Sequence, residues 1–265
     1  MTDAVSLHDR PAGYEVARQC MTLHEQSAKP SALGRLFGVS PVPTDVASWY
    51  TGTLGEIRVG SILHGLSDEW TVLHSIPIGT KGSDIDHVVI GPGGVFTINT
   101  KRHRAKKIWL GESTLLVSGR KTNHLRNARY EGERASELLS RAVGTYIAVT
   151  PMLVLVAIAQ LTVRQRPSDV AVLHDYQLVR WLRKRKRILR PDQVDYISSA
   201  ARSSSTWQLG AVPPVDSAHL ARFEKLRQMD GRALNIRRTW ILVGGIGAVL
   251  AVLNLLPIFV RSVLG

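Results

Sequence analysis

The sequence predicts an α/β domain in which a mixed sheet is flanked by helices. Two alternating strands surround a Gly-Pro-Gly-Gly turn at 91–94, which predicts an antiparallel hairpin. The runs at 151–158 and 170–173 are largely apolar, as in parallel strands whose two faces are both covered. Helical spacing of apolar residues appears at 49–66 and 124–143. This order of helices and strands is typical of an α/β layout.

The remaining elements follow from shorter patterns. An early helix is predicted at Tyr14–Gln26, followed by a loop that contains several prolines. Further segments complete the prediction: strands at 69–77, 107–110 and 114–118, a helix at 175–186, and an amphipathic helix at 217–230.

The hairpin register gathers four polar side chains on one face. With Gly91–Gly94 as the loop, Ile90 lies opposite Val95, and a shorter Pro92-Gly93 loop gives the same pairs. Continuing this register places Asp86 opposite Asn99 and Asp84 opposite Lys101. Period-2 alternation then keeps four residues together: Asp84, Asp86, Asn99 and Lys101. A three-residue loop without a bulge would break these pairs.

This cluster of acids, an amide and a lysine suits metal-assisted hydrolysis of a phosphodiester. Carboxylate oxygens hold hard divalent cations, and a lysine stabilises charge or orients a water. Glu56 is a further candidate, because it lies on the flank of the apolar stripe formed by Val59 and Leu63. A carboxylate that faces inward needs a partner or a metal. The alternative is that Glu56 occupies the first helical turn, where the helix dipole favours an acid.

The composition favours some classes of binding partner but does not choose among them. The chain has 265 residues, an apolar content of 44% and a formal net charge of +13, so it has ample material for a core. The charge favours nucleic acid or anionic lipid, although a solvated basic surface is an alternative. The single cysteine, Cys20, excludes an intramolecular disulfide and a cysteine-based zinc finger. The N-terminus lacks the apolar core of a signal peptide.

An uncharged stretch near the C-terminus predicts one transmembrane helix at 239–261. Residues 240–260 contain no charge, which is enough to cross about 30 Å of hydrocarbon as a helix. Arg237 and Arg238 precede the stretch and only Arg261 follows it, so the preceding domain is predicted on the cytoplasmic side of the cell membrane. The alternative is a buried core helix.

Two basic runs are candidate contact surfaces. The segment 101–107 continues from the lysine strand and supplies four candidate phosphate ligands: Arg102, Arg104, Lys106 and Lys107. A solvated strand edge, where cations discourage edge-to-edge pairing, explains them equally well. The run from Arg180 to Arg190 predicts a basic amphipathic helix that contacts nucleic acid or anionic lipid, or that is simply exposed. Glu131 and Glu133 are expected as surface charges of their helix, with one able to partner Lys101.

These residues together resemble the nuclease-related (NERD) domain family, a branch of the PD-(D/E)XK endonuclease-like superfamily. The resemblance covers about 45–185 and rests on three segments in the family's order: WYTGTLGE at 49–56, SDIDHVVIGPGGVFTINTK at 83–101 and ARYEGERA at 128–135. It implies a restriction-endonuclease-like fold, nucleic acid as the partner, Mg²⁺ or Mn²⁺ as the cofactor, and no small-molecule cofactor.

The resemblance also implies roles for individual residues. Glu56 is the helical acid, Asp86 the main metal-binding acid and Lys101 the catalytic lysine. Asp84, which the hairpin register places on the same face, is predicted as a supporting acid. Asn99 stands where the family pattern has a carboxylate. An amide oxygen ligates a hard cation without contributing charge, so weaker metal affinity is expected.

The sequence thus predicts four regions: an N-terminal extension at 1–44, a nuclease-related domain at 45–197, a linker with a short helix at 198–238, and the transmembrane helix. The leading hypothesis is a membrane-anchored, Mg²⁺-dependent nuclease. The alternatives are a weakened or inactive module that binds nucleic acid or protein, and a structural protein whose basic surface meets lipid.

Overall fold

The protein was analysed as a computed structural model. Its description covers the following residues: 7, 9–78, 84–207 and 215–264. The chain divides into two compact units. Unit 1 comprises Met1–Gln19 and Ser48–Ser217, and unit 2 comprises Cys20–Ala47 and Ala218–Gly265.

The helices of the described chain are α1 (Tyr14–Gln26), α2 (Ala32–Leu36), α3 (Ala47–Leu63), α4 (His124–Val143), α5 (Leu178–Arg183), α6 (Pro191–Arg202), α7 (Ser204–Trp207) and α8 (Ser217–Leu264). The strands are β1 (Thr71–Pro77), β2 (Asp84–Gly91), β3 (Gly94–Arg102), β4 (Lys107–Leu110), β5 (Leu115–Val117), β6 (Arg120–Thr122), β7 (Val149–Val156), β8 (Gln160–Val163) and β9 (Ala171–His174). A single 3-10 turn, Asp175–Gln177, leads into α5.

A five-stranded mixed sheet forms the centre of unit 1, in the order β1-β2-β3-β7-β9. Strands β1, β2 and β3 are antiparallel, and the β2–β3 register includes the predicted Ile90–Val95 pair. Strands β7 and β9 are parallel to their neighbours, as their apolar runs predict. The mixed central sheet flanked by helices is therefore confirmed.

Helices cover both faces of this sheet. Val59 and Leu63 of α3 pack with Phe96 and Ile98 on one face, together with the buried leucines of α5. Ala135 and its apolar neighbours on α4 pack on the other face, together with residues of α6. Because both faces are closed, a polar side chain that points from the middle of β2 or β3 is removed from solvent.

A second, four-stranded sheet has the order β6-β5-β4-β8. The sequence predicted β4 and β5 but not β6 and β8. These two strands are short and mostly exposed, and their residues give no apolar alternation that would mark a half-buried strand. Leu110 and Leu115 of this sheet share a core with Leu125 of α4.

Helices also occupy 198–207, the part that the sequence predicted as the start of a linker. Ile197 and Ala201 are buried on α6, and Trp207 is buried on α7. The Trp207 indole donates a 2.7 Å hydrogen bond to the Ala201 carbonyl. The small and polar residues of this part suggested a linker, whereas the structure places residues 198–202 and 204–207 in helices with buried side chains.

The amphipathic helix predicted at 217–230 and the apolar stretch after it form one continuous helix, α8. Among the residues that the structure describes, none of the helices combines the length and apolar character needed to cross a bilayer. The transmembrane helix predicted at 239–261 is therefore not confirmed. Part of that prediction, the side chains of 248, 250, 251 and 254–261, lies outside the described residues.

Candidate active site

The site begins where the β2–β3 ladder stops. The last paired residues are His87 and Ile98. The predicted continuation, with Asp86 opposite Asn99, is not part of the backbone ladder. Instead, the amide N–H of Thr100 donates a 2.6 Å hydrogen bond to Oδ2 of Asp86. The side chain of Asp86 thus takes the place of a strand partner, and the two strands part beyond this point.

Asp86 lies in a fully enclosed position. Its side chain is buried, and burial raises the pKa of its carboxyl group above the ordinary value. The positive charge of Lys101 and the hydrogen bond from Thr100 act in the opposite direction and favour the ionised form. Lys101 is partly exposed and has no salt-bridge partner within the described part of the chain, so its ammonium group remains available to an anion.

Glu56 reaches the same region from α3. It lies in the third turn of a helix that begins at Ala47. The helix dipole, which favours an acid in the first turn, therefore does not explain its position. The carboxyl group is buried, and its Oε2 has no hydrogen-bond partner among the described residues. Burial raises its pKa well above the usual range, and the charges of Asp86 and Asp84 raise it further. Its environment therefore includes the acids of the hairpin.

Glu131 is the site residue that the sequence interpretation placed elsewhere. It was expected on the surface of α4, but its side chain is buried. The Nδ2 of Asn99 donates a 2.5 Å hydrogen bond to Oε1 of Glu131. Burial, followed by the charge of Asp86, raises the pKa of Glu131 to about 8, while Lys101 lowers it. Helix α4 thus brings a carboxyl group to the position where the hairpin has only an amide.

Close packing of α4 on the sheet carries Glu131 inward. A side chain at Gly132 would begin 2.9 Å from Cβ of Pro151 on β7, so only glycine permits this approach. Glu131 also lies three residues after Ala128 and four before Ala135, both buried on the same helix face. That spacing is the signal in the sequence that could have identified Glu131 as an inward-facing acid.

Asp84 stands at the edge of the cluster. Burial raises the pKa of its carboxyl group to about 7, and the neighbouring charges of Asp86 and Glu15 add to the effect. Its Oδ2 has no hydrogen-bond partner among the described residues. The structure does not pair Asp84 with Lys101 across the hairpin, since β2 and β3 have already separated there.

Two histidines lie near Lys101. The Nε2 atoms of His103 and His124 are 3.0 Å apart, so one ring donates a hydrogen bond to the other. Burial lowers the pKa of His124 to about 4, and the charge of Lys101 contributes. Both rings are therefore neutral near pH 7.

The four predicted basic residues lie at the end of β3 (Arg102), in the loop that joins it to β4 (Arg104 and Lys106) and at the first position of β4 (Lys107). Arg102 is partly exposed, and Arg104, Lys106 and Lys107 are exposed. The loop backbone is fixed, because Ala105 N–H donates to the Ala157 carbonyl at 2.9 Å. Strands β3 and β4 are each paired on both sides, so protection of a free strand edge does not explain these cations.

The second basic run is largely used within the fold. Helix α5 ends at Arg183, earlier than predicted, and its buried residues are Leu178 and Leu182. Arg185 stacks on the ring of Trp181 at 4.0 Å, and Arg187 forms a salt bridge with Glu69. These contacts favour a structural role for part of the run.

The mixed sheet brings Asp86 and Lys101 into the same region as Glu56 of helix α3. A family model described as a nuclease-related domain (NERD) matches residues 51–156. Residues 51–156 are thus similar to the nuclease-related domain, and the match is consistent with a PD-(D/E)XK-like nuclease fold. No curated protein and no solved structure matched the chain.

The raised carboxyl pKa values predict an inverse dependence of stability on pH. Unfolded Asp84 and Glu131 lose their protons near pH 4, whereas the folded groups hold them to about 7 and about 8. Above neutral pH the unfolded state binds fewer protons, so the free energy of unfolding falls as pH rises. We expect a loss of about 1–2 kcal/mol between about pH 7 and pH 8.5 in urea denaturation without divalent cations.

The chosen pH range excludes the histidines, whose lowered pKa values have the opposite effect below about pH 6.5. Glu131→Gln should reduce the dependence, whereas the exposed Glu133→Gln should leave it unchanged. A free energy of unfolding that is constant or rises over this range would contradict the assignment of raised pKa values.

Proposed function

We propose that unit 1 is a restriction-endonuclease-like domain that hydrolyses phosphodiester bonds of DNA or RNA with Mg²⁺ or Mn²⁺. One observation carries the proposal: Glu56, Asp86 and Glu131 are buried carboxyl groups whose charges act on one another, with Lys101 among them. Several buried acids that share one basic neighbour are costly in a purely structural core, and clusters of this kind mark functional sites.

The donor set suits a hard divalent cation. Buried oxygens without hydrogen-bond partners among the described residues include Glu56 Oε2, Asn99 Oδ1 and Glu131 Oε2. Carboxylate and amide oxygens are the ligands that Mg²⁺ prefers. As placed, no three or more His, Cys, Asp or Glu side chains in the described ranges have the spacing of a metal cage. These residues therefore match a hard cation in the chemistry of their donor atoms, and the match does not rest on the spacing of their side chains.

Each residue has a distinct part in the proposal. Glu56 and Asp86 would hold the cation, with the carbonyl oxygen of Asn99 as a neutral ligand. Glu131 orients the Asn99 amide by accepting from Nδ2, which leaves Oδ1 free to face the acids. When bound, the cation supplies Lewis-acid stabilisation of charge on the phosphate. The ammonium of Lys101 stabilises the same developing charge from its partly exposed position.

Cleavage of plasmid and oligonucleotide substrates tests the proposal. We expect the full-length chain to cleave DNA or RNA with Mg²⁺ or Mn²⁺ and to lose this activity with EDTA. Lys101→Met should reduce the rate at least about 100-fold, which is the size of the loss when one charge-stabilising group is removed. Lys121→Met, an exposed lysine on β6, is the matched control.

Absence of cleavage with every substrate and both metals would contradict the proposed phosphodiester hydrolysis. If the chain then bound nucleic acid with an affinity independent of Mg²⁺, the inactive binding module would be supported instead.

The basic loop supports nucleic acid as the partner. It follows directly from Lys101, its backbone is fixed and it is not at a strand edge. We therefore propose that Arg104, Lys106 and Lys107 contact phosphates beside the site. Such contacts position a strand without reading its sequence.

The double variant Arg104→Gln/Lys106→Gln should weaken binding to all sequences about equally. The slope of log affinity against log salt should fall by roughly one for each lost contact. Fluorescence anisotropy over a salt series measures both quantities. The double variant Arg180→Gln/Lys184→Gln on the second basic run is the control, and an equal change in that control would contradict a specific role for the loop.

A further inference from the structure

Unit 2 contains a cavity of about 530 Å³, which is within the range of small-molecule sites. The C-terminal half of α1, the α2 region and α8 enclose it. Its apolar lining includes Met21, Val39, Leu226, Met229 and Ile236. Methionine and branched aliphatic side chains suit a flexible hydrocarbon ligand, because they adapt to its shape.

Close contacts hold the α2 region on α8. A side chain at Gly38 would begin 2.4 Å from the Ala233 carbonyl oxygen, and Gly38 has a positive φ of 71°. The Ser40 hydroxyl donates a 2.6 Å hydrogen bond to Asp230, and the Trp240 indole donates at 2.8 Å to the Leu36 carbonyl. The cavity is thus walled by packed segments of unit 2.

The charged lining is almost entirely basic. It has five cations, Lys29, Arg35, Arg222, Lys225 and Arg232, and a single acid, Glu25. Arg222 pairs with Glu25 at 2.8 Å, which neutralises that acid. The other four cations are exposed and have no salt bridge within the described part of the chain. Four unpaired cations around an apolar interior complement a ligand that has an anionic head and an apolar tail.

Exposed apolar side chains lie in the α2 region, which also contributes Arg35 and Val39 to the cavity lining. Leu33, Leu36 and Phe37 of the α2 region are more than half exposed, and the Phe37 ring lies 5.2 Å from that of Trp240. An acyl tail longer than the cavity would therefore continue along an apolar surface.

We propose that this cavity binds a fatty-acyl lipid with an anionic phosphate headgroup. The apolar lining holds the acyl chain, and Lys29, Arg35, Lys225 and Arg232 surround the phosphate. This site is separate from the acids of unit 1 and does not depend on their catalytic function.

The test is a titration of the full-length chain with oleoyl lysophosphatidate, at a constant low concentration of nonionic detergent, followed by thermophoresis. We expect saturable binding that is at least tenfold tighter than that of oleoyl lysophosphatidylcholine or glycerol 3-phosphate. Lys225→Gln/Arg232→Gln should weaken binding at least tenfold. Met229→Trp, which fills the cavity, should weaken it without changing the charge.

The matched control is Arg227→Gln, on the same helix but outside the lining and paired with Glu224. If Arg227→Gln weakened lipid binding as much as Lys225→Gln/Arg232→Gln, the effect would come from the overall charge of the helix and the proposal would be overturned. Equal affinity for glycerol 3-phosphate would also overturn it, because the apolar lining would then contribute nothing. Equal affinity for lysophosphatidylcholine would show that the cations do not recognise the headgroup. Absence of saturable binding would show that the cavity does not bind the lipid.

Discussion

Asp86→Asn is expected to abolish metal-dependent cleavage, with a rate at least about 1000-fold below that of the unaltered protein. Asp86 accepts the Thr100 N–H and lies among Glu56, Glu131 and Lys101. Asparagine retains the size and the acceptor oxygen, so the fold should persist while the charge is lost. Single-turnover cleavage in Mg²⁺, with circular dichroism to verify folding, measures both effects.

Asp68→Asn is the matched control, since Asp68 is exposed and lies between α3 and β1. Its rate should equal that of the unaltered protein. If Asp86→Asn retained more than a tenth of the activity while remaining folded, Asp86 could not be the main acid of the site.

Glu131→Gln should lower the cleavage rate at least about 100-fold. A bound cation would favour the ionised form of Glu131, whose carboxylate would then supply the negative charge that Asn99 lacks. Glu131 also fixes the Asn99 amide through the 2.5 Å hydrogen bond. Glutamine removes the charge and competes for the same donor. The Mg²⁺ concentration needed for half-maximal rate should rise at the same time, and a Mg²⁺ titration of the rate separates the two changes. Glu133→Gln, two residues away and exposed, should be without effect.

The double variant Asn99→Glu/Glu131→Gln tests whether the carboxyl group can be moved. It returns the acid to the hairpin, where the family pattern has it, and leaves an amide on α4. We expect activity within about tenfold of the unaltered protein, well above that of Glu131→Gln alone. If the double variant were no more active than Glu131→Gln, the two positions would not be exchangeable and Glu131 would have a different role.

The hairpin was predictable because its signals are local. Period-2 alternation and the Gly-Pro-Gly-Gly turn define the Ile90–Val95 pair, and the register from that pair to His87 and Ile98 follows from it. The inward position of Glu56 was predictable for the same reason, since Val59 and Leu63 define the buried face of α3.

The contribution of α4 depends on contacts between residues distant in sequence. The spacing of Glu131 from Ala128 and Ala135 indicates an inward side chain. Its contact with Asn99 depends on how closely Gly132 approaches Pro151, and no local pattern contains that distance. The end of the β2–β3 ladder has a similar origin, because the Asp86 side chain competes with β3 for the Thr100 N–H. The short strands β6 and β8 depend on their neighbours and have little pattern of their own.

Anomalous diffraction from crystals soaked in Mn²⁺ tests the central claim most directly, namely that this acidic cluster is a divalent-cation site completed by α4. We predict one strong anomalous peak coordinated by Glu56, Asp86 and the Asn99 carbonyl oxygen, with Glu131 still bonded to the Asn99 amide or itself a ligand. A peak elsewhere, or none at Mn²⁺ concentrations that support cleavage, would contradict the account.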